Sequence, residues 1–296
     1  MDISARDKAA ILVEALPYIK KFYGKTIVIK YGGHAMLNQE LKQAVMNDVI
    51  LMKLVGMHPV LVHGGGPEIT DLLERLAIKS SFVNGLRVTD AATMEVVEMV
   101  LVGKVNQEIV GLIQQLGGKA IGLSGKDGGL LQAVRQKALT KNHAGQPVEV
   151  DLGFVGEVSQ VNPGILTTVI EKGYIPVIAP VAMGSDGISL NINADYVAGA
   201  VAASLQADKL VLLTDVEGIF ADFRDPATLI SSLQTALVPE LISQGVLSGG
   251  MIPKVECCVK ALAAGVKTTH IIDGRQPHSI LLEVFTDKGI GTMVVN

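Results

Sequence analysis

Thr26-Ile27-Val28-Ile29-Lys30-Tyr31-Gly32-Gly33 is an apolar, β-branched run that ends in a lysine and two glycines. Pro59-Val60-Leu61-Val62-His63-Gly64-Gly65-Gly66-Pro67 repeats the pattern downstream, with an apolar strand running into glycines and a helix start at Pro67. Between them, residues about 38–55 carry helical periodicity. The alternation resumes with Ile175-Pro176-Val177-Ile178, an alanine-rich helix over about 194–206, and Lys209-Leu210-Val211-Leu212-Leu213. A strand–helix rhythm of this kind predicts a parallel sheet covered by helices on both faces. In such a sheet ligands gather at the carboxyl ends of the strands, which is where both glycine runs fall.

Two stretches depart from the rhythm. Ile11, Leu12, Ala15, Leu16, Ile19 and Phe22 recur at helical spacing, predicting one amphipathic helix over about 4–22 that ends at Gly24. Residues about 119–161 read as short strands and turns, an edge or lid subdomain. Its hairpin tips are expected at Gly125-Lys126-Asp127-Gly128-Gly129 and Asn142-His143-Ala144-Gly145. Two lobes sharing one sheet are expected, with a boundary near residue 180.

The 296 residues are 49% hydrophobic and 18% charged, enough apolar material for one large α/β core or two packed lobes. No apolar run reaches the roughly 18 residues a membrane span needs, and the N-terminus is charged where a signal peptide turns apolar. Cys257 and Cys258 are adjacent, so a disulfide between them would be strained, and the cytoplasm is the expected location. A net charge of -4 with 4% aromatics and no Trp leaves no footprint for nucleic acid. No Cys/His spacing resembles a zinc site.

Anionic ligands must therefore meet a few local donors. Gly64-Gly65-Gly66 before a helix N-terminus exposes backbone N–H groups at the positive end of a helix dipole. His-Gly-Gly-Gly also serves lipases and esterases as an oxyanion hole. That reading needs a G-x-S-x-G elbow, and Gly122-Leu123-Ser124-Gly125 is only its nearest approach. Neither a P-loop nor a G-x-G-x-x-G fingerprint is present. In Asn191-Ile192-Asn193-Ala194-Asp195 at a helix start, Asn193 is a natural N-cap, which leaves the other polar residues to be explained. In Gly249-Gly250-Met251-Ile252-Pro253-Lys254 the helix is expected to begin at Pro253. Lys254 in its first turn opposes the dipole unless an anion shares the site.

Taken together and in order, these motifs, with Asn84-Gly85-Leu86-Arg87-Val88-Thr89-Asp90 and Leu213-Thr214-Asp215-Val216-Glu217-Gly218, resemble the acetylglutamate kinase branch of the amino-acid kinase family. The match runs from about residue 10 to the end. The segments Gly85 to Thr89 and Asn191 to Asp195 are those of the acetylglutamate branch. His34 departs from the small residue many members carry and touches no residue assigned to chemistry. The resemblance implies a three-layer αβα sandwich with an open, mainly parallel central sheet and an added N-terminal helix. It implies residues 1–24 as an oligomerisation helix, 25–180 as the acetylglutamate-binding and dimerising lobe, and 181–296 as the lobe for ATP and an arginine site.

The implied activity is ATP-dependent phosphorylation of the γ-carboxylate of N-acetyl-L-glutamate, the second step of arginine biosynthesis. Lys30 and Lys254 would stabilise the transferring phosphoryl group, and Asp195 would orient them. Gly33 would bind that group, Gly65, Gly66, Arg87 and Asn191 the substrate, and Thr214 and Asp215 the nucleotide. Mg²⁺ is expected on the ATP phosphates, with no protein ligand named. The N-terminal helix resembles that of arginine-inhibited members, which implies a hexamer built as a trimer of dimers and an L-arginine site using Lys209, His270, Glu283 and Gly289. Resemblance to some photosynthetic members would also permit a nitrogen-signalling regulatory protein as a partner. The competing readings are another carboxylate or carbamate kinase of the same fold, a serine hydrolase, and a non-catalytic anion-binding regulator.

Overall fold

The computed structural model describes residues 4–141, 147–287 and 289–296. Helices α1 (Ala5–Glu14) and α2 (Leu16–Phe22) lead into β1 (Thr26–Tyr31), α3 (Gln39–Leu54), β2 (His58–His63) and α4 (Gly66–Arg75). A small hairpin, β3 (Ser81–Val83) and β4 (Leu86–Val88), precedes α5 (Ala91–Glu98), a π-helical segment (Met99–Val105) and α6 (Asn106–Gln115). Then follow β5 (Ala120–Ser124), β6 (Leu131–Lys141), β7 (Pro147–Val161), α7 (Gly164–Glu171), β8 (Ile175–Ala179), β9 (Val181–Gly184), β10 (Ser189–Ile192) and α8 (Ala194–Ser204). The chain closes with β11 (Lys209–Thr214), β12 (Ser232–Gln234), α9 (Val238–Ser243), α10 (Met251–Ala263), β13 (Thr268–Asp273), α11 (Ser279–Val284) and β14 (Thr292–Val295).

Eight strands form one sheet in the order β12-β14-β13-β11-β1-β2-β8-β5, parallel throughout except where β14 runs against β13. This is the mainly parallel α/β architecture read from the apolar runs. The continuous burial of β2 and β11 follows from helices on both faces. Strands from residues before 180 make one half of the sheet and those after it the other, meeting where β1 pairs with β11. Two apolar clusters lie on opposite faces, with Ile27, Ile29 and Val211 in one and Val28, Leu210 and Leu212 in the other. No helix among the described residues is long and apolar enough to cross a membrane.

Three expectations need correction. The N-terminal helix is two helices, because Pro17 stands at the start of α2 and cannot continue the ladder of α1. Residues 119–161 are not all short strands: β5 is an edge strand of the main sheet, so Gly125 to Gly129 links two sheets and is not a hairpin tip, and β6 and β7 are long partners that close a small barrel with β9 and β10. Register shifts at Gln132/Ala133 and Arg135/Lys137 interrupt the inward–outward alternation that identifies a long strand. The helix expected from Pro253 begins at Met251, capped by Gly250. The expected tip at Asn142-His143-Ala144-Gly145 lies outside the described residues, as does the side chain of His34.

Candidate active site

The center of the site is a carboxylate between two ammonium groups. Lys30, at the carboxyl end of β1 opposite Val62 and Leu212, reaches Asp195 Oδ1 at 3.2 Å as an ion pair. Lys254, in the first turn of α10, donates to Asp195 Oδ2 at 2.8 Å. Asp195 itself is set by the start of α8, where Asn193 Oδ1 accepts the Asp195 N–H at 2.8 Å and so acts as the expected N-cap. Burial alone would raise the Asp195 carboxyl, but the two lysines outweigh it and hold it down to about 2. The first-turn lysine that opposes the α10 dipole is thus compensated by a charge from α8.

Two glycine turns flank this triad because the register of β1 against β2 sets Tyr31 opposite His63. The Gly64 N–H donates to Tyr31 O at 2.8 Å, which ties the turns together. Small residues are required here on contact grounds. A Cβ on Gly32 would lie 2.7 Å from Lys30 Nζ, and one on Gly33, whose φ is +70°, would lie 2.5 Å from Asp215 Oδ1.

Between the turns opens a cavity of about 250 Å³ lined by Lys30, Gly33, Gly65, Gly66, Arg87, Asn191 and Asp195. Seven of the residues singled out from sequence therefore share one wall system. Arg87 is buried and held from several sides. Its guanidinium donates to Gly66 O at 3.1 Å and Thr70 Oγ1 at 2.8 Å, contacts Ser80 Oγ, and lies 4.6 Å from the Phe82 ring centroid. Burial lowers its pKa, though not to a degree that frees the proton. Asn191 donates to Thr89 Oγ1 at 3.4 Å.

A second, larger cavity of about 790 Å³ is lined by Thr214, Val216, Gly218, Phe220, Phe223, Met251 and Lys254. Asp195 lines the first cavity and Lys254 the second, so their ion pair marks the boundary between the two. Thr214 opens on the larger cavity, whereas Asp215, the next residue, lines an adjoining space of about 190 Å³ with Arg275.

The four residues expected to form an effector site also converge, in a cluster that shares no residue with the triad. Lys209 Nζ lies 2.8 Å from His270 Nε2, His270 Nδ1 lies 2.6 Å from Glu283 Oε1, and Glu283 Oε2 accepts the Ile290 N–H at 2.8 Å. Gly289, with φ +61°, packs so that a Cβ would fall 2.6 Å from Glu283 Oε2. Burial lowers Lys209 to about 8, with Glu283 opposing the shift. The α2 residue Phe22 places its ring 5.3 Å from Lys209 Nζ, and Tyr18 donates to Asp287 at 2.6 Å.

Several lining residues escaped sequence reading. Phe82, Leu101 and Val155 carry no polar signal, and they reach the first cavity from a hairpin, the π-helical segment and the long strand β7. Phe220 and Phe223 sit in an irregular loop. Of the motifs, only the spacing of Phe82 to Arg87 across a two-residue Asn84-Gly85 turn offered a signal, since that turn pairs the two residues across the hairpin.

The sequence pattern of the amino acid kinase family matches residues 25–273. The acetylglutamate kinase of Pelotomaculum thermopropionicum is 68% identical over 288 residues, covering 97% of this chain and 98% of that protein. That of Moorella thermoacetica is 67% identical over 295 residues, covering 100% and 99%. Among solved structures, the N-acetylglutamate synthase from Neisseria gonorrhoeae complexed with coenzyme A and N-acetyl-glutamate superposes with a TM-score of 0.82 at 25% identity. That match covers 97% of this chain and 63% of the synthase chain.

Proposed function

The chain belongs to the amino acid kinase family, and we propose that it transfers the γ-phosphoryl group of ATP to the side-chain carboxylate of N-acetyl-L-glutamate. It is a kinase of amino-acid biosynthesis, as its full-length relatives are acetylglutamate kinases. The observation that carries the substrate roles is the Lys30–Asp195–Lys254 triad at the meeting of a small polar cavity and a larger one. In-line transfer spreads negative charge over the equatorial oxygens of the moving group, so fixed cations and backbone amides supply most of the rate. Lys30 approaches from the acceptor side and Lys254 from the nucleotide side. Asp195 holds both ammonium groups apart from competing anions and at a fixed spacing. No general base is needed, because the attacking carboxylate is already ionised at neutral pH.

In this reading Arg87 receives the substrate α-carboxylate as a planar fork, with Asn191 beside it, and Gly33, Gly65 and Gly66 offer N–H groups. Thr214 and Asp215 border the nucleotide. Residues 25–180 form the acetylglutamate lobe and 181–296 the ATP lobe. Among the described residues no three His, Cys, Asp or Glu side chains gather as a metal site, and Asp195 is already engaged by two cations. In this reading a Mg²⁺ rides mainly on the ATP phosphates, whose charge it shields.

Hydroxylamine trapping of the acyl phosphate formed with ATP, run across acetylglutamate, glutamate, aspartate and carbamate, tests the proposal. Acetylglutamate is expected to be the preferred acceptor by a wide margin. Equal or better turnover of another acceptor overturns the substrate, and no product with any of them overturns the kinase reading.

The same enzyme is proposed to be cytoplasmic, hexameric and inhibited by L-arginine. Support comes from α1, which buries none of its residues: Ile11, Leu12 and Val13 are 53%, 72% and 68% exposed, an apolar face left open among the described residues. Support also comes from the convergence of Lys209, His270, Glu283 and Gly289 beneath α2. Light scattering with an arginine titration decides it: a hexamer whose activity falls with arginine is expected, and an arginine-insensitive dimer sinks the idea while leaving the kinase intact.

A further inference from the structure

His63 begins the His63-Gly64-Gly65-Gly66 turn and has no exposed surface. Its Nδ1 lies 2.7 Å from the Gly64 carbonyl oxygen, and its Nε2 lies 3.2 Å from the side-chain amide nitrogen of Asn106. A carbonyl oxygen only accepts, so the proton belongs on Nδ1, and Nε2 presents the lone pair to which Asn106 donates. Burial pulls the imidazole down to about 4, with the Gly64 carbonyl opposing, so the ring is neutral at physiological pH.

Asn106 is itself fully committed. Its Nδ2 also donates to Val177 O of β8 at 2.9 Å. Its Oδ1 lies where a Cβ on Gly122 of β5 would come within 1.9 Å, so only glycine leaves it room. A buried amide held on two strands in this way fixes the tautomer and the plane of His63.

The consequence falls on one peptide. Among the described residues no peptide bond is cis, and in a trans peptide the C=O and N–H point in opposite directions. Holding the Gly64 carbonyl against His63 in the core therefore aims the Gly65 N–H the other way, toward the cavity that Gly64, Gly65 and Gly66 line. The rest of the turn is fixed as well: the Gly64 N–H goes to Tyr31 O, and Gly65 O accepts from the Ile69 N–H at 3.0 Å. Behind it stand Leu101 and Val105, whose side chains would lie 2.6 Å and 3.4 Å from a Cβ on Gly65. Both come from the π-helical segment that ends immediately before Asn106. A π-type turn inserts an extra residue per turn and redirects the side chains after it. Here it delivers Leu101, Val105 and Asn106 to the same glycine turn.

We infer that Asn106, acting through His63, is a positioning residue that aims the Gly65 N–H at the anion transferred or bound in the cavity. This rests on the phosphoryl-transfer reading of the site. Neither side chain lines the cavity; both set the direction of a donor that does.

The test has three readings on the full-length enzyme. Nitrogen-15 spectra of the wild-type imidazole are expected to show His63 protonated on Nδ1, and protonation on Nε2 instead overturns the relay. Asn106→Leu keeps the branched heavy-atom outline of the side chain and removes the donation. It is expected to move the Gly65 amide signal in the substrate-free protein. It should also lower kcat for the carboxylate substrate by about 10-fold or more, with KM for ATP unchanged. Where Asn106→Leu does not fold, Asn106→Ser carries the same expectation. A purely structural asparagine would cost thermal stability and leave the Gly65 signal and kcat of the folded variant as in wild type, and that result overturns the inference. A lowered kcat with an unmoved Gly65 signal overturns it too. A wild type that phosphorylates no carboxylate defeats the kinase reading, while the Gly65 signal still decides the positioning.

Discussion

Replacing Asp195 by asparagine keeps the shape of the side chain and removes one charge from between Lys30 and Lys254, whose side chains are only 12% and 19% exposed. The Asp195 carboxyl sits near 2 in the fold against an ordinary 3.8, with the two lysines overcoming the burial that would raise it. That depression corresponds to about 2 kcal/mol of folding stability at neutral pH. Because the folded value is the lower one, the stability is present above roughly pH 4 and is lost as pH falls through about 2. The variant also leaves two cations facing one another with water largely excluded, which brings the expected loss to about 2–4 kcal/mol and lowers Tm by roughly 5–10 °C.

Activity should fall further than stability explains. Two ammonium groups no longer held at fixed positions lose their preorganisation toward the transferring group, and kcat should drop about 10²-fold with little change in nucleotide affinity. Thermal melts from pH 8 down to pH 3, alongside hydroxylamine-trapped turnover at pH 7.5, measure both effects. The gap in stability between wild type and Asp195→Asn should stay constant from pH 8 to about 5 and narrow below 4. A D195N enzyme with wild-type kcat and wild-type Tm refutes the reasoning, since it would mean the two lysines need no anion between them.

Lys30→Ala and Lys254→Ala should each lower kcat about 10²-fold or more with a smaller change in KM, and a Lys254→Ala enzyme with normal kcat and a raised KM for ATP would reduce that lysine to a nucleotide contact. Arg87→Lys keeps the charge and loses the fork that holds Gly66 O and Thr70, so KM for acetylglutamate should rise while KM for ATP stays put; an equal rise in both moves Arg87 out of the acceptor site. Arginine inhibition should vanish in Glu283→Ala with the hexamer intact and weaken after deletion of residues 1–22. It should also fade as pH rises through about 8, where Lys209, lowered by burial, gives up its charge; inhibition unchanged at pH 9 removes Lys209 from the effector site.

The apolar runs of β1, β2, β8 and β11 determined the parallel sheet, because a strand buried on both faces has no room for polar alternation and announces itself as a continuous run. The same logic located the site. Lys30-Tyr31-Gly32-Gly33 and the His63 to Gly66 turn had to lie at the carboxyl ends of neighbouring strands, and Asn193 had to cap a helix that carries Asp195 in its first turn. The long hairpin of β6 and β7 was not legible, because its bulges break the period-two pattern by which a strand is known. The break between α1 and α2 was legible in Pro17, but the helical spacing of the apolar residues runs straight across it.

What the tertiary structure decided is which polar groups meet. Sequence types Lys30, Asp195 and Lys254 as charged residues at strand and helix ends. Only the crossing of β1, α8 and α10 brings them within 3.2 Å and 2.8 Å of one another. Asn106 makes the same point more sharply. In the sequence it is one polar residue in an amphipathic stretch. Its hydrogen bonds run to His63 and Val177, 43 and 71 residues away, and they depend on a π-helical turn that no side-chain periodicity encodes. Local sequence fixes the hydrophobic period and the caps, because those are set within a few residues. The partners of a buried polar group are set by packing across the sheet, where the chain's own order no longer carries the information.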